Sequence, residues 1–174
     1  MALAEWRDLL TACKAIAETV DDAGHSFDAV GGLTLGADAL AVGIAAVTDS
    51  CWFFVRKEPK QRGTRQLIEG AQIGPGHTVL LVDDVVTTGG SILMALDAIT
   101  QTGAETVAAV TLVDRSGIAC QEFQQRGIAY YPMATYESFG IDPVRSEPLP
   151  QRPDAAIGEP TTLGPSSRQL QPAG

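Results

Sequence analysis

Two adjacent carboxylates, Asp83 and Asp84, follow four apolar residues and precede a short loop rich in hydroxyl groups and glycine. The loop reads Val85-Val86-Thr87-Thr88-Gly89-Gly90-Ser91, and a segment with helical periodicity begins at its end. Glycines let a backbone turn tightly and approach a ligand closely, and the amides at the start of a helix bind phosphate. Carboxylates beside such a loop can accept hydrogen bonds from sugar hydroxyls or lie next to a divalent cation. The pattern therefore predicts a site for a phosphorylated sugar.

The same residues would also suit an ordinary turn from a strand into a helix, with the two acids capping the helix. The occurrence of strand, acidic pair and loop together and in this order favours the binding site. The chain lacks the G-x-x-x-x-G-K-[ST] motif of P-loop nucleoside triphosphatases and the G-x-G-x-x-G motif of dinucleotide-binding folds. Neither of those phosphate-binding classes is therefore indicated.

A second candidate for anion binding is a basic segment near the middle of the chain. Five of the twelve Lys and Arg residues lie within ten positions, namely Arg56, Lys57, Lys60, Arg62 and Arg65. The whole chain carries a formal net charge of −9, which argues against a general nucleic-acid surface. A local cationic loop on an acidic protein indicates a small anionic ligand, and a merely solvated basic loop is the alternative.

Length and composition narrow the class of protein further. The 174 residues, 45% of them hydrophobic, suit one domain with a sizeable core. No apolar stretch approaches the roughly 20 residues that span a bilayer, and the N-terminus does not resemble a secretory signal, so we expect a cytoplasmic protein. Three widely spaced cysteines and two histidines indicate neither a disulfide framework nor a zinc site.

Apolar periodicity predicts alternating helices and strands that must position these candidates. The predicted elements are helices over 5–23, about 39–47, 91–101 and 118–126, strands over 27–32, 51–56, 77–83, 106–114 and 128–133, a long loop over 57–75 and a final turn over 136–141. This order predicts an α/β fold with a mostly parallel five-stranded sheet flanked by helices. Because ligands bind at the carboxyl ends of such strands, the loops after Gly32, Asp83 and Asp114 should meet at one edge.

The last part of the chain has a different composition. Residues 145–174 contain six of the ten prolines and three residues of each charge sign. Such a segment cannot bury enough apolar surface to fold alone, so we predict a domain over 1–144 and a disordered tail over 145–174. A structured docking role for the tail is the alternative.

The run from Val79 to Ser91 resembles the phosphoribosyl pyrophosphate (PRPP) signature of type I phosphoribosyltransferases. A second motif, Arg56-Lys57-x-x-Lys60-x-Arg62-Gly63, resembles the R-K-x-x-K-x-H-G loop of the orotate enzymes of that family. That loop closes over pyrophosphate, often from the neighbouring subunit of a dimer. Here Arg62 takes the position of the histidine, and an arginine stays protonated near neutral pH. The resemblance extends over about residues 6–143.

The resemblance implies Mg²⁺-dependent transfer of ribose 5-phosphate from PRPP to a nitrogenous base, with orotate as the best match. Orotidine 5′-monophosphate and pyrophosphate would be the products. The implied catalytic residues are Asp83, Asp84, Lys60 and Arg62, with Mg²⁺ near the two aspartates. The implied PRPP-binding residues are Thr34, Leu35, Gly36, Arg56, Lys57, Lys60, Asp83, Asp84, Val85, Val86, Thr87, Thr88, Gly89, Gly90 and Ser91. The implied base contacts are Thr87 and Arg115.

The resemblance is incomplete in one respect. Orotate enzymes begin with an N-terminal hood that covers the base and carries a lysine, whereas no such segment precedes Trp6 in this sequence. The base half of the site would then depend on Thr87 and Arg115. A non-catalytic PRPP- or nucleotide-binding paralogue that acts as a regulator, and a transferase for another base, are the open alternatives. The resemblance also implies a homodimer, and we expect no nucleic-acid or membrane partner.

Overall fold

A computed structural model describes residues 4–58 and 67–144 of the chain. Its helices are α1 (Trp6–Asp22), α2 (Asp38–Thr48), α3 (Gly90–Thr102) and α4 (Ile118–Gln125), and a 3₁₀ turn covers Glu137–Phe139. Its strands are β1 (Ala29–Leu33), β2 (Cys51–Val55), β3 (Ile68–Gly70), β4 (Thr78–Val86), β5 (Glu105–Asp114) and β6 (Ala129–Thr135). Every predicted helix and strand is confirmed, with ends that differ by at most three residues.

The strands form one sheet in the order β3-β2-β1-β4-β5-β6. All neighbouring pairs are parallel except β2 and β3, which are antiparallel. The predicted number of five strands is wrong, because β3 lies within the segment predicted as a loop over 57–75. Three residues are too few for a periodic pattern, and β3 is recognisable only through its pairing with Phe53–Val55.

Helices cover both faces of the sheet, which explains the continuous apolar run in β4. Leu80 and Val82 pack with residues of α1 and α2, whereas Val79 and Leu81 pack with residues of α3 and α4. All four side chains are fully buried. Truncation of Leu80 or Leu81 to alanine would cost about 2–5 kcal/mol, so the strand that leads to the acidic pair is firmly held.

Close packing at the end of β1 depends on a glycine. A Cβ atom at Gly32 would overlap the carbonyl oxygen of Val82 on β4 and would lie 2.6 Å from the Cβ of Ala37. Any larger residue at this position would push β1 away from β4. The glycine therefore brings the loop after β1 close to the residues that follow Val82.

In the part of the chain that the structure describes, no helix combines the length and apolar character needed to cross a bilayer. The tail over 145–174, predicted to be disordered, lies outside the described residues, as do Lys60, Arg62 and Gly63 of the basic segment.

Candidate active site

Three loops meet at the carboxyl edge of the sheet, as predicted. They follow β1, β4 and β5, which are neighbouring parallel strands. The ends of β4 and β5 are in register at Val86 and Asp114, and the Arg115 amide continues the pairing by donating to the Val86 carbonyl at 2.9 Å. The acidic pair, the glycine-containing loop and Arg115 therefore belong to one edge.

The acidic pair consists of one buried and one partly exposed carboxylate. Asp83 is 5% exposed, and its Oδ1 accepts a hydrogen bond from the Asp84 amide at 3.0 Å. Asp84 Oδ1 accepts one from the Val85 amide at 2.7 Å. The pKa of Asp83 is raised to about 7, mainly by burial and to a smaller extent by the negative charge of Asp84. The hydrogen bond from the Asp84 amide and the positive charge of Lys57 oppose this rise. This carboxylate is costly to ionise unless a cation or hydrogen-bond donor joins it.

The loop after β1 lies directly against the acidic pair. It contains a cis peptide bond between Thr34 and Leu35, which the sequence pattern gave no means to predict. A Cβ atom at Gly36 would lie 2.6 Å from Asp84 Oδ1 and 3.0 Å from Asp83 Oδ1. Because glycine lacks that atom, the space that both oxygens border stays open.

The acidic pair fits a partial magnesium site. Among the described residues, no group of three or more His, Cys, Asp and Glu side chains could hold a metal ion. Mg²⁺, however, is commonly bound through one or two carboxylates together with water and substrate phosphate oxygens. Asp83 and Asp84, with two oxygens bordering the gap at Gly36, match such a substrate-completed donor set.

The loop between β4 and α3 surrounds a small pocket. The pocket is lined by Asp83, Val85, Val86, Thr87, Thr88, Gly89, Gly90, Ser91 and Ile92. Gly89 has a left-handed backbone, with φ of +79°, and no side chain caps the helix that follows it. The alternative in which Asp83 and Asp84 cap α3 is therefore wrong, and the amides of the first turn of α3 face a site suited to phosphate.

Arg56 and Lys57 follow β2 and border a cleft beside the β1–α2 loop. This open cleft, of about 660 Å³, is also lined by Thr34 and Leu35 of the β1–α2 loop. An ion pair at 2.8 Å joins Arg56 Nη1 to Oε1 of Glu69 on β3. The two cations and the loop predicted to bind PRPP thus share one cleft, and Glu69 orients one of the cations.

Arg115 lies exposed at the start of the β5–α4 loop. Its amide is held by Val86, as described above, and its carbonyl accepts a hydrogen bond from the Val144 amide at 2.8 Å. Thr87 directly follows Val86, so the two residues predicted to contact the base leave adjacent strands at the same edge.

Two cleft residues are absent from the sequence-based prediction. Oδ1 of Asp38 is buried without a hydrogen-bond partner among the described residues, and burial raises the pKa of this carboxyl group. In the sequence Asp38 is the last residue of the loop predicted after the first strand, and it has no assigned role there. Glu69 lies in a strand too short to be predicted, and its separation from Arg56 by thirteen positions gave no local signal.

Comparison with known proteins shows that this chain is similar to phosphoribosyltransferases. A family model described as the phosphoribosyl transferase domain matches residues 2–122. The chain is 40% identical over 132 residues to the orotate phosphoribosyltransferase of Pyrococcus abyssi, covering 74% of this chain and 72% of that protein. It is 38% identical over 135 residues to the orotate phosphoribosyltransferase of Pyrococcus furiosus, covering 77% and 74% respectively. The crystal structure of Mycobacterium tuberculosis orotate phosphoribosyltransferase in complex with PRPP aligns with a TM-score of 0.67 and 32% identity over 80% of each chain.

Proposed function

The chain belongs to the phosphoribosyl transferase domain family, and we propose that it transfers the 5-phosphoribosyl group of PRPP to orotate. In this reaction the bond between ribose C1 and a pyrophosphate oxygen breaks, a bond from C1 to a nitrogen of the base forms, and pyrophosphate leaves. The observation that carries the proposal is the convergence of an acidic pair, a glycine loop and a helix start at one sheet edge.

The pocket between β4 and α3 would hold the 5′-phosphate of PRPP. The Thr87 amide, the amides at the start of α3 and the hydroxyls of Thr88 and Ser91 would offer donors around it. The neighbouring carboxylates, Asp83 and Asp84, would accept hydrogen bonds from the ribose hydroxyls. These contacts would fix the sugar with its C1 toward the open cleft beside the β1–α2 loop.

Asp83 and Asp84 would also hold Mg²⁺, in keeping with their place beside the gap at Gly36. When bound, the ion supplies positive charge to the diphosphate of PRPP and favours its departure. The same positive charge would offset the cost of ionising the buried Asp83 carboxyl group.

Arg56 and Lys57 would bind the pyrophosphate group in the cleft that they share with Thr34 and Leu35. Cations that bind more strongly as negative charge accumulates on the leaving group lower the barrier. We assign the same role to Lys60 and Arg62 on the basis of the motif, although they lie outside the described residues.

Arg115 would recognise the base. A guanidinium group donates two parallel hydrogen bonds to a carboxylate, which is the feature that distinguishes orotate from a plain pyrimidine. Thr87, at the end of the adjacent strand, would contact the ring from the side of the ribose. Recognition would therefore combine an ion pair with a hydroxyl contact.

Two further properties follow from family membership as proposals. We expect a homodimer, in which the basic loop of one subunit serves the site of its partner. We expect a cytoplasmic location, since the reaction belongs to pyrimidine nucleotide synthesis. Sedimentation equilibrium would test the first expectation, and cell fractionation would test the second.

The function is tested by following PRPP consumption with orotate and Mg²⁺ and identifying the product, beside calorimetric PRPP binding. Formation of orotidine 5′-monophosphate that stops without Mg²⁺ is the expected result. Turnover with another base, and none with orotate, would show that the other base is the acceptor. PRPP binding without turnover on any base would instead favour the non-catalytic paralogue.

A further inference from the structure

A buried polar network lies beneath the loop that carries Arg115. Among the residues that the structure describes, three polar or charged side chains are buried, and one of them is Asp83 of the acidic pair. The other two, Thr111 and Asp114, lie on β5 with exposures of 0% and 2%. Buried polar groups are costly unless they are paired, so their partners show what this part of the fold must hold in place.

Thr111 and Asp114 share one partner, the hydroxyl of Tyr130 on the neighbouring strand β6. The Tyr130 hydroxyl lies 3.1 Å from Asp114 Oδ2 and 2.9 Å from Thr111 Oγ1. A carboxylate only accepts and a phenol has a single proton, so Tyr130 donates to Asp114 and Thr111 donates to Tyr130. Burial raises the pKa of Tyr130 well above its ordinary value, which keeps the donating proton in place.

The other oxygen of Asp114 holds the loop itself. Asp114 Oδ1 accepts hydrogen bonds from the amides of Ser116 and Gly117, each at 2.9 Å. These are the two residues directly after Arg115. One carboxylate therefore connects the turn that follows Arg115 to the hydroxyl of Tyr130.

Tyr130 also contacts the helix that the loop enters. Its ring stacks on Phe123 of α4, with centroids 5.2 Å apart and planes inclined by 9°. The same side chain thus restrains both the start of the loop, through Asp114, and the helix at its end. A phenylalanine would retain the stacking and lose only the hydrogen bonds.

We propose that Tyr130 is a positioning residue for base recognition, because it holds Asp114, and Asp114 holds the turn that fixes the direction of Arg115. This inference rests on the proposed function, since the assignment of Arg115 to the base comes from it. Tyr130 itself acts only through Asp114 and the turn.

The test compares two single-atom deletions on the same strand. Tyr130→Phe removes the hydroxyl of the network, and Tyr131→Phe removes a hydroxyl that pairs with His25 Nε2 at 2.9 Å. Because successive residues of a strand face opposite sides of the sheet, Tyr131→Phe is a matched control away from the loop. We expect Tyr130→Phe to raise the KM for orotate about three- to tenfold, which is in the range of one ordinary intramolecular hydrogen bond, and to leave the KM for PRPP unchanged. Tyr131→Phe should change neither.

Amide hydrogen exchange at Ser116 and Gly117, measured without substrate, separates this inference from the proposed function. Faster exchange in Tyr130→Phe than in Tyr131→Phe is expected. Unchanged exchange, an unchanged KM for orotate, or equal rises in both KM values would overturn the positioning role. Absence of orotate turnover in the wild-type protein would overturn the proposed function, whereas faster exchange would still support the hold of Tyr130 on the loop.

Discussion

Asp28 lies just before the central strand β1 and Asp83 in the second half of the neighbouring strand β4. Their surroundings shift the pKa values of their carboxyl groups in opposite directions. Asp28 precedes β1 at the amino edge, and its Oδ2 accepts hydrogen bonds from the amide and hydroxyl of Thr78 at 2.8 and 3.0 Å. These bonds lower the pKa of the exposed Asp28 carboxyl group. At the carboxyl edge, burial raises the pKa of Asp83 to about 7.

The difference separates an edge whose carboxylate is satisfied within the chain from one that, in the proposed function, is completed by a ligand. At the amino edge the carboxylate has its donors within the chain, so its charge contributes to stability. At the carboxyl edge two carboxylates lie side by side beside an open space at Gly36. Such costly arrangements persist in proteins where function requires them. Substitutions of one residue type at the two edges should therefore have opposite consequences.

The largest expected effect is on turnover at the carboxyl edge. Asp84→Asn retains an oxygen that can accept the Val85 amide hydrogen, so the fold should remain intact, but the negative charge is lost. We expect kcat/KM to fall about 100- to 1,000-fold, in the range of other lost electrostatic contacts in active sites. Steady-state kinetics with orotate and PRPP, beside a thermal melt, would measure it.

Asp28→Asn is the matched control for this substitution, since it makes the same chemical change at the amino edge. Its kcat/KM should equal that of the wild-type protein. Turnover of Asp84→Asn within twofold of wild type would show that Asp84 is not part of the active site. The two edges would then not differ in function.

The next largest effect is on stability, because removal of the Asp83 charge should raise the free energy of unfolding. The pKa of Asp83 is about 7 in the folded chain against an ordinary value of 3.8, so ionised Asp83 opposes folding increasingly as the pH rises from 4 to 7. Above pH 7 the penalty is complete. In buffer with a chelator and without PRPP, Asp83→Asn should raise the free energy of unfolding at pH 8 by about 1–4 kcal/mol.

Urea unfolding near pH 8 and near pH 4 would measure this gain and its pH dependence. The gain should shrink at the lower pH, where wild-type Asp83 is protonated in the folded state. A variant that is less stable than wild type near pH 8 would contradict the costly character assigned to this edge.

A smaller effect is expected from filling the gap at the acidic pair. A Cβ at position 36 would approach both carboxylates closely, as described above, whereas a Cβ at Gly74 would meet only the Thr102 carbonyl oxygen at 3.6 Å. Gly36→Ala should therefore weaken Mg²⁺-dependent PRPP binding about tenfold, and Gly74→Ala should not, since crowding of a packed site costs about 1–3 kcal/mol. Calorimetric titration with PRPP would measure both, and equal affinities would show that the gap is not used.

The residues of the carboxyl edge could be predicted from the sequence, whereas the electrostatic difference between the two edges could not. Asp83, Asp84 and the loop through Ser91 lie in one continuous run, so a local pattern suffices to find them. The parallel sheet follows from the alternation of elements, because long crossovers between strands require helices. Even the meeting of the β1, β4 and β5 loops follows from the general rule for such sheets.

The remaining features depend on contacts between distant parts of the chain. The bonds of Asp28 to Thr78 span fifty positions, and no local pattern distinguishes this aspartate from an ordinary surface acid. The same is true of the ion pair between Arg56 and Glu69 and of the hydrogen bond from Tyr130 to Asp114. Burial of Asp83 was implied by the apolar run before it, but the size of its pKa shift depends on Asp84 and Lys57 as well.

The smallest effect tests the amino edge directly. Asp28→Asn retains an acceptor for Thr78 but loses the charge, so the variant should melt at a slightly lower temperature than wild type near pH 6. Because the folded-state pKa of Asp28 lies below its ordinary value of 3.8, the contribution is present above that value and is lost as the pH falls through the folded-state pKa. The two melting temperatures should therefore converge at a pH below the folded-state pKa, as scanning calorimetry would show. A difference that persists at that pH would mean that the shape of the side chain, and not its charge, stabilises this edge, and the two aspartates would then no longer be electrostatic opposites.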